Sequence, residues 1–203
     1  MARRSEHSLE EIKEMVLNAA ESIVIEGGGP ALTMRKIAMD IGYTVGSIYM
    51  VFDNMSDLIL HINARTLDGI AAELEKAPES EAGAWLDQVA KLYLRYATVN
   101  FNRWSLIFEH RLPKNAPVPD WYQAKVERVF RKFEVQFARL VPGRSETENK
   151  QAARALWGGI HGISMLSLSG KLDIVGVEDV EKSIELLVGN FISGWMRTRP
   201  AAS

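Results

Sequence analysis

Residues able to do covalent or metal chemistry are few in this 203-residue chain, and they do not converge. The histidines His7, His61, His110 and His161 are scattered, and none forms an HExxH motif or a close set with carboxylates. The absence of cysteine removes disulfides, thiolate zinc sites, iron–sulfur clusters and a cysteine nucleophile. Gly27-Gly28-Gly29-Pro30 has no following Gly-Lys-Ser/Thr and reads as a turn, and no GxSxG elbow supports a serine hydrolase. The expectation is therefore no enzyme, no metal and no cofactor. What remains is non-covalent chemistry. Gly46, Ser47 and Tyr49, small or hydrogen-bonding, stand between apolar residues at helical spacing.

To present such residues, the segment Met34–Val51 must form two short helices across a tight turn. That packing restricts several positions at once. The residue facing the partner helix must be small, and it is Ala38. The turn needs a left-handed backbone, and Gly42 follows four residues later. The buried positions must be apolar, as Ile37, Ile41, Val45, Ile48 and Val51 are. All seven conditions are met in one register. A pair of short helices in any bundle shares apolar spacing and a glycine turn, but rarely leaves such residues exposed on its second helix. The pattern points to a helix-turn-helix that reads DNA.

The rest of the chain reads as all-α, with about nine helices and no convincing strand. Ser8 with Glu11 is a capping box that opens a helix ended by the glycine run. Thr33 caps a helix through about Asp40, and Thr44 one through about Val51. Asn54, with Asp57 at the third position, caps a helix to about Ala77. Further helices are expected over about 85–100, 103–110 and 121–140. Ser145 with Glu148 forms a second capping box for a helix to about Ser169, with Gly170 as its end. The last helix spans about 177–197. The short helices precede the long ones, which divides the chain into a DNA-binding domain (1–54) and a larger helical domain (55–203).

Composition is that of an ordinary globular protein, 47% hydrophobic and 25% charged. The charged amino terminus lacks a signal peptide's apolar core, and no stretch suits a bilayer, so a cytoplasmic protein without membrane association is expected. Net charge is −2. Residues 1–54 carry five Arg and Lys against eight Asp and Glu, a formal −3. A DNA-binding segment of that balance must focus its positive charge on one face. The same balance supports a rival reading, a helical adaptor for a ligand or partner protein whose helix-turn-helix no longer reads DNA.

The runs Leu32–Ala38, Ile41–Phe52 and Asp57–Ile59 resemble the TetR/AcrR repressor family, over about residues 8–60. Leu156-Trp157-Gly158-Gly159-Ile160-His161-Gly162 resembles the WHG subgroup of carboxy-terminal domains. The resemblance implies a homodimer whose two recognition helices enter successive major grooves of a palindromic double-stranded DNA operator. It implies that Thr33, Thr44 and Tyr49 meet phosphate, and that Arg35 reaches a phosphate or a guanine edge. Val45, Gly46, Ser47 and Met50 would face bases. Arg3 and Arg4 would form an arm that adds counterion release. One departure stands out: Met55 occupies a position where many members carry a phosphate-binding lysine.

The second domain is expected to sense a small hydrophobic or aromatic effector. Candidate pocket residues are Tyr93, Tyr96, Trp104, Phe108, Trp121, Phe130, Trp157 and His161, with His110 and Arg111 as further polar anchors. Any single ring at helical spacing is more simply core. Gly158, Gly159, Gly162, Gly189 and Gly194 cost helix propensity and imply close helix approach. With Leu166, Leu187, Phe191, Ile192 and Trp195, Gly159 is assigned to an intersubunit four-helix bundle. The pattern does not distinguish a repressor from an activator.

Overall fold

A computed structural model describes residues 7–114 and 117–197. Arg3, Arg4, Arg199 and Pro200 lie outside them. Among the described residues there are ten α-helices and no strand: α1 (Leu9–Gly27), α2 (Met34–Ile41), α3 (Val45–Ile48), α4 (Met55–Leu74), α5 (Ala82–Val99), α6 (Phe101–Glu109), α7 (Asp120–Leu140), α8 (Glu146–Leu168), α9 (Lys171–Ile174) and α10 (Val180–Arg197). The tenth is the four-residue α9, which follows left-handed Gly170 and is too short for periodicity to reveal. None of these helices is long and apolar enough to cross a membrane.

The helix starts follow from side chains. Ser8 Oγ accepts from the Glu11 amide at 3.3 Å while the Glu11 carboxylate accepts from the Ser8 amide at 2.7 Å. Ser145 and Glu148 repeat the exchange at 3.2 and 2.9 Å. At α4, Asn54 Oδ1 accepts from the Asp57 amide, and Asp57 Oδ2 accepts from the Asp53 amide.

The chain forms two compact units: Met1–Thr66 with Asn100–Tyr122, and Leu67–Val99 with Gln123–Ser203. Helices α4 and α7 supply residues to both. In the first unit, Ile12, Val16, Ala20, Ile23 and Val24 of α1 pack with Ile37 and Ala38 of α2, Ile48 of α3, Phe52 from the segment between α3 and α4, Leu58 and Ile62 of α4, and Leu106 of α6. Each large aliphatic side chain so buried contributes roughly 1.5–3 kcal/mol. Polar links brace this core. Arg65 of α4 donates to Glu14 at 2.6 Å and Glu21 at 2.8 Å, both on α1, and Arg103 of α6 reaches Glu21 at 3.1 Å.

In the second unit, Trp85, Leu86, Val89, Ala90, Tyr93 and Ala97 of α5 are buried with Phe133 and Phe137 of α7, Ala153, Leu156 and Ile160 of α8, and Ile184 and Val188 of α10. Helix α10 packs on both α5 and α8.

Candidate nucleic-acid interface

Helices α2 and α3 meet across Gly42, whose φ of +71° and ψ of +26° are the left-handed values that the turn requires. The Tyr43 amide donates to the Ala38 carbonyl and closes the turn. Ile37, Ala38 and Ile48 are buried, while Ile41, Val45 and Val51 are partly buried against the same core. Regular α3 ends at Ile48, earlier than the expected Val51. Beyond it, Tyr49 and Phe52 still donate four residues back, but Met50 and Val51 donate three back. Gly46 and the β-branched residues favour helix weakly, so the last turn tightens.

This packing leaves one face open. Thr33, Arg35, Lys36, Thr44, Gly46, Tyr49 and Met50 are exposed, and Ser47 is half-buried. Tyr49 is 53% exposed and Met50 66%, neighbours in the chain that both stand open on this face. Thr33 Oγ1 accepts from the Lys36 amide at 3.2 Å, and Thr44 Oγ1 from the Ser47 amide at 3.3 Å. Both threonines are thus N-caps, so a phosphate contact would use the hydroxyl proton. Thr44 Oγ1 also lies 3.1 Å from Ser47 Oγ, which holds the two hydroxyls together.

Val45 is partly buried against the core, in keeping with its apolar position in the helix-turn-helix pattern, and the rest of its side chain remains on the open face. Met55 is partly buried against that core too, which gives a packing reason for an apolar residue there. A contact between distant residues escaped sequence reading. His7 Nδ1 lies 2.7 Å from Tyr43 Oη, tying the start of the described chain to the helix-turn-helix turn. No local pattern signals a pair 36 residues apart.

The eight candidate pocket residues divide between the units. Trp104, Phe108 and Trp121 belong to the first. Trp104 is fully buried and meets Phe108 edge-on at 5.3 Å; Trp121 stacks on His61 at 4.5 Å. Also there, Ser56 Oγ lies 2.8 Å from His110 Nε2. In the second unit, Tyr93 Oη lies 3.0 Å from His161 Nδ1, the His161 ring stacks on Trp157 at 5.2 Å, and Trp157 meets Phe130 edge-on at 5.3 Å. Tyr96 turns instead to α4, where a β-carbon at Gly69 would lie 2.5 Å from its hydroxyl. Burial holds the imidazoles of His61, His110 and His161 below the ordinary histidine range; Lys13 and Arg65 add to the effect at His61, and Asp57 opposes it.

Of the residues assigned to a dimer interface, several have partners within their own chain. A β-carbon at Gly159 would lie 2.7 Å from Leu187 Cδ2, so this glycine lets α8 and α10 of one subunit approach. Phe137 takes Phe191 edge-on at 5.9 Å and Trp195 at 5.5 Å. Arg144 lies over the Trp195 ring at 3.8 Å and donates to its carbonyl. Ile192 lies near Gly83. Leu166 stays 43% exposed. Gly158, Gly162, Gly189 and Gly194 have open space where a side chain would stand.

Comparison with known proteins follows this geometry. Residues 16–62 match the model of bacterial regulatory proteins, tetR family, and residues 86–191 match the tetracyclin repressor-like C-terminal domain. The second match spans more than half of the chain and includes Leu156–Gly162. No curated protein matches. Among solved structures, a Rhodococcus sp. RHA1 protein of unknown function is 21% identical, with a TM-score of 0.72 over 96% of this chain and 98% of that one. A TetR-family transcriptional regulator from Streptomyces coelicolor is 17% identical, with a TM-score of 0.65 over 94% and 89%. The TetR-family regulator PfmR from Thermus thermophilus is 16% identical, with a TM-score of 0.59 over 91% and 99%. These identities establish a shared fold; the two family matches, in the order helix-turn-helix then regulatory domain, establish that this chain is a transcriptional regulator of the TetR family.

Proposed function

We propose that this regulator is a cytoplasmic homodimeric repressor that binds a palindromic operator and leaves it when a small hydrophobic or aromatic effector binds the second domain. The observation that carries the DNA-reading part is the exposed face of α2 and α3, where Tyr49 and Met50 stand open above a core closed by Ile37, Ala38 and Ile48. Thr33, Thr44 and Tyr49 would hold phosphates, and Arg35 a phosphate or a guanine edge. Gly46 permits close approach, Ser47 offers a hydroxyl to a base, and Met50 with the free part of Val45 offers apolar surface to a thymine methyl. With few cations, each half-site binds weakly, so affinity depends on two copies acting together.

The effector reading is supported by the Tyr93–His161–Trp157–Phe130 chain of rings, in which aromatic surface adjoins a hydroxyl and an imidazole. Helix α4 carries residues of both units without interruption and is the element through which the effector would act. The effector shifts DNA affinity only by its preference for the non-binding state. The dimer reading is supported by the open glycine face of α8 and α10.

The test is an electrophoretic mobility shift with DNA upstream of the chain's own gene, repeated over a range of salt. A sequence-specific, salt-sensitive complex is expected. Its absence overturns the repressor reading in favour of the helical adaptor.

A further inference from the structure

In the first unit, a residue just before α1 is joined to the turn of the helix-turn-helix. His7 Nδ1 lies 2.7 Å from Tyr43 Oη, and the two rings meet edge-on at 6.1 Å. Tyr43 is partly buried against the first unit's core, a packing that needs only its ring. The hydroxyl adds nothing to that packing, and its partner among the described residues is His7. Tyr43 is itself well held. Its amide donates to the Ala38 carbonyl at 3.0 Å, and it stands between left-handed Gly42 and Thr44, the N-cap of α3. The capping box already fixes Ser8. The contact with Tyr43 fixes the residue before it, and two successive fixed residues set the direction in which the chain leads into α1.

That direction matters because cations are scarce in this part of the chain. Residues 1–54 hold five, and Arg3 and Arg4, four and three residues before His7, are two of them. Of the other three, Lys13 lies over the Phe52 ring at 5.7 Å, while Arg35 and Lys36 stand exposed on α2. Acids are close in sequence: Glu6, Glu10 and Glu11. Glu11 is drawn into the helix start, where its carboxylate accepts from the Ser8 hydroxyl at 2.8 Å and the Ser8 amide at 2.7 Å. Because these acids repel phosphate, direction and not total charge decides whether the two arginines help. Four residues span at most about 14 Å, a distance over which a duplex presents several phosphates. Charges on a short tether with a fixed origin and direction have a higher effective concentration at those phosphates than charges that sweep freely through solvent. We infer that His7 is a positioning residue for DNA binding: held by Tyr43, it aims Arg3 and Arg4 at phosphates beside those that Thr44 would hold. The inference rests on the DNA-binding reading and is independent of the effector.

The experiment is fluorescence anisotropy of the full chain with a labelled duplex from upstream of its own gene, titrated over a range of salt. The double variant Arg3→Gln/Arg4→Gln should flatten the plot of log affinity against log salt by about 1.8 for each arm that touches DNA. His7→Ala and Tyr43→Phe should each weaken binding on the order of fivefold at moderate salt and flatten the slope in the same sense. Adding the arginine changes to His7→Ala should cost much less than adding them to the wild type, as for residues that act through one another. His7→Asn should restore binding, because its amide reaches the place of Nδ1 and can bond to Tyr43 Oη. Melting temperature and circular dichroism should stay at wild-type values, since His7 is half-buried ahead of the first helix and Tyr43→Phe keeps the ring. Unchanged affinity and salt slope in His7→Ala overturn the inference. So does a loss in His7→Ala that leaves the salt slope unchanged and simply adds to that of the arginine variant. A wild type that forms no complex with the duplex is a distinct result, which overturns the DNA-binding reading itself.

Discussion

At the residue scale, side chains of similar chemistry divide sharply by what they touch. Tyr93 and Tyr49 are both tyrosines on helical segments, yet Tyr93 is buried against His161 and Tyr49 stands in solvent beside the turn. Tyr49→Ala should therefore leave stability within about 0.5 kcal/mol of wild type while weakening operator binding strongly. Fluorescence anisotropy with operator DNA and urea unfolding of the same sample check both halves; unchanged DNA affinity at moderate salt removes Tyr49 from the interface. Gly42 shows the opposite division. There is space for a β-carbon, but the backbone is left-handed, so Gly42→Ala should cost about 1–2 kcal/mol through conformation alone. The measurement is the urea midpoint with an unchanged m-value. The special role of Gly42 was legible from its distance to Ala38. Those of Thr33 and Thr44 were legible as caps, because a cap is a local event between residues three apart.

At the element scale, the short α3 does not hold itself together. Four regular residues, one of them glycine, cannot form a stable helix in water. Its position comes from Ile48 and from Phe52, which closes the core and meets the His61 ring edge-on at 5.4 Å. Phe52→Ala should cost about 3–5 kcal/mol and abolish DNA binding through loss of the folded domain, visible as a lower melting temperature before any DNA is added. Arg65 is a gentler case. It holds Glu14 and Glu21 of α1 from α4, and its side chain is partly exposed, so Arg65→Met should cost on the order of 1 kcal/mol. Nothing near Arg65 in sequence predicts this, since its partners lie 51 and 44 residues away.

At the scale of the whole molecule, the glycines of α8 and α10 separate two kinds of close approach. Gly159 serves the subunit's own α8–α10 contact, whereas Gly158 and Gly162 face open space. The exposed face with Leu166 is the better test of dimerisation than Trp195, whose removal disturbs Phe137 and Arg144 within the subunit. Leu166→Asp should shift sedimentation toward the monomer and weaken operator binding while leaving helicity intact; an unchanged dimer places the interface elsewhere. Acid should also loosen the fold. His61, His110 and His161 all titrate below the ordinary value of 6.5 because burial favours the neutral ring. Their contribution is present above that value and fades as pH falls through the lower folded-state values, where the unfolded chain binds protons more readily. Urea unfolding at about pH 7.5 and about pH 5.5 should show lower stability at the acid pH, with a smaller difference in a His161→Gln variant.

Sequence alone determined what depends on neighbours along the chain: helical periodicity, the caps at Ser8, Thr33, Thr44, Asn54 and Ser145, the turn at Gly42, and with them the helix-turn-helix and the family. These are short-range events, in which side chains three or four residues apart meet whatever the rest of the molecule does. Tertiary structure alone decided which apolar residues found partners within the chain. Eleven aromatic residues over 85–137 look alike in sequence, but Trp104 is sealed in the first unit and Phe137 anchors α10 in the second. It also decided that Gly159 is spent on an intrachain contact. Such outcomes depend on helices brought together from distant parts of the chain, because burial and pairing are properties of three-dimensional surroundings and not of spacing.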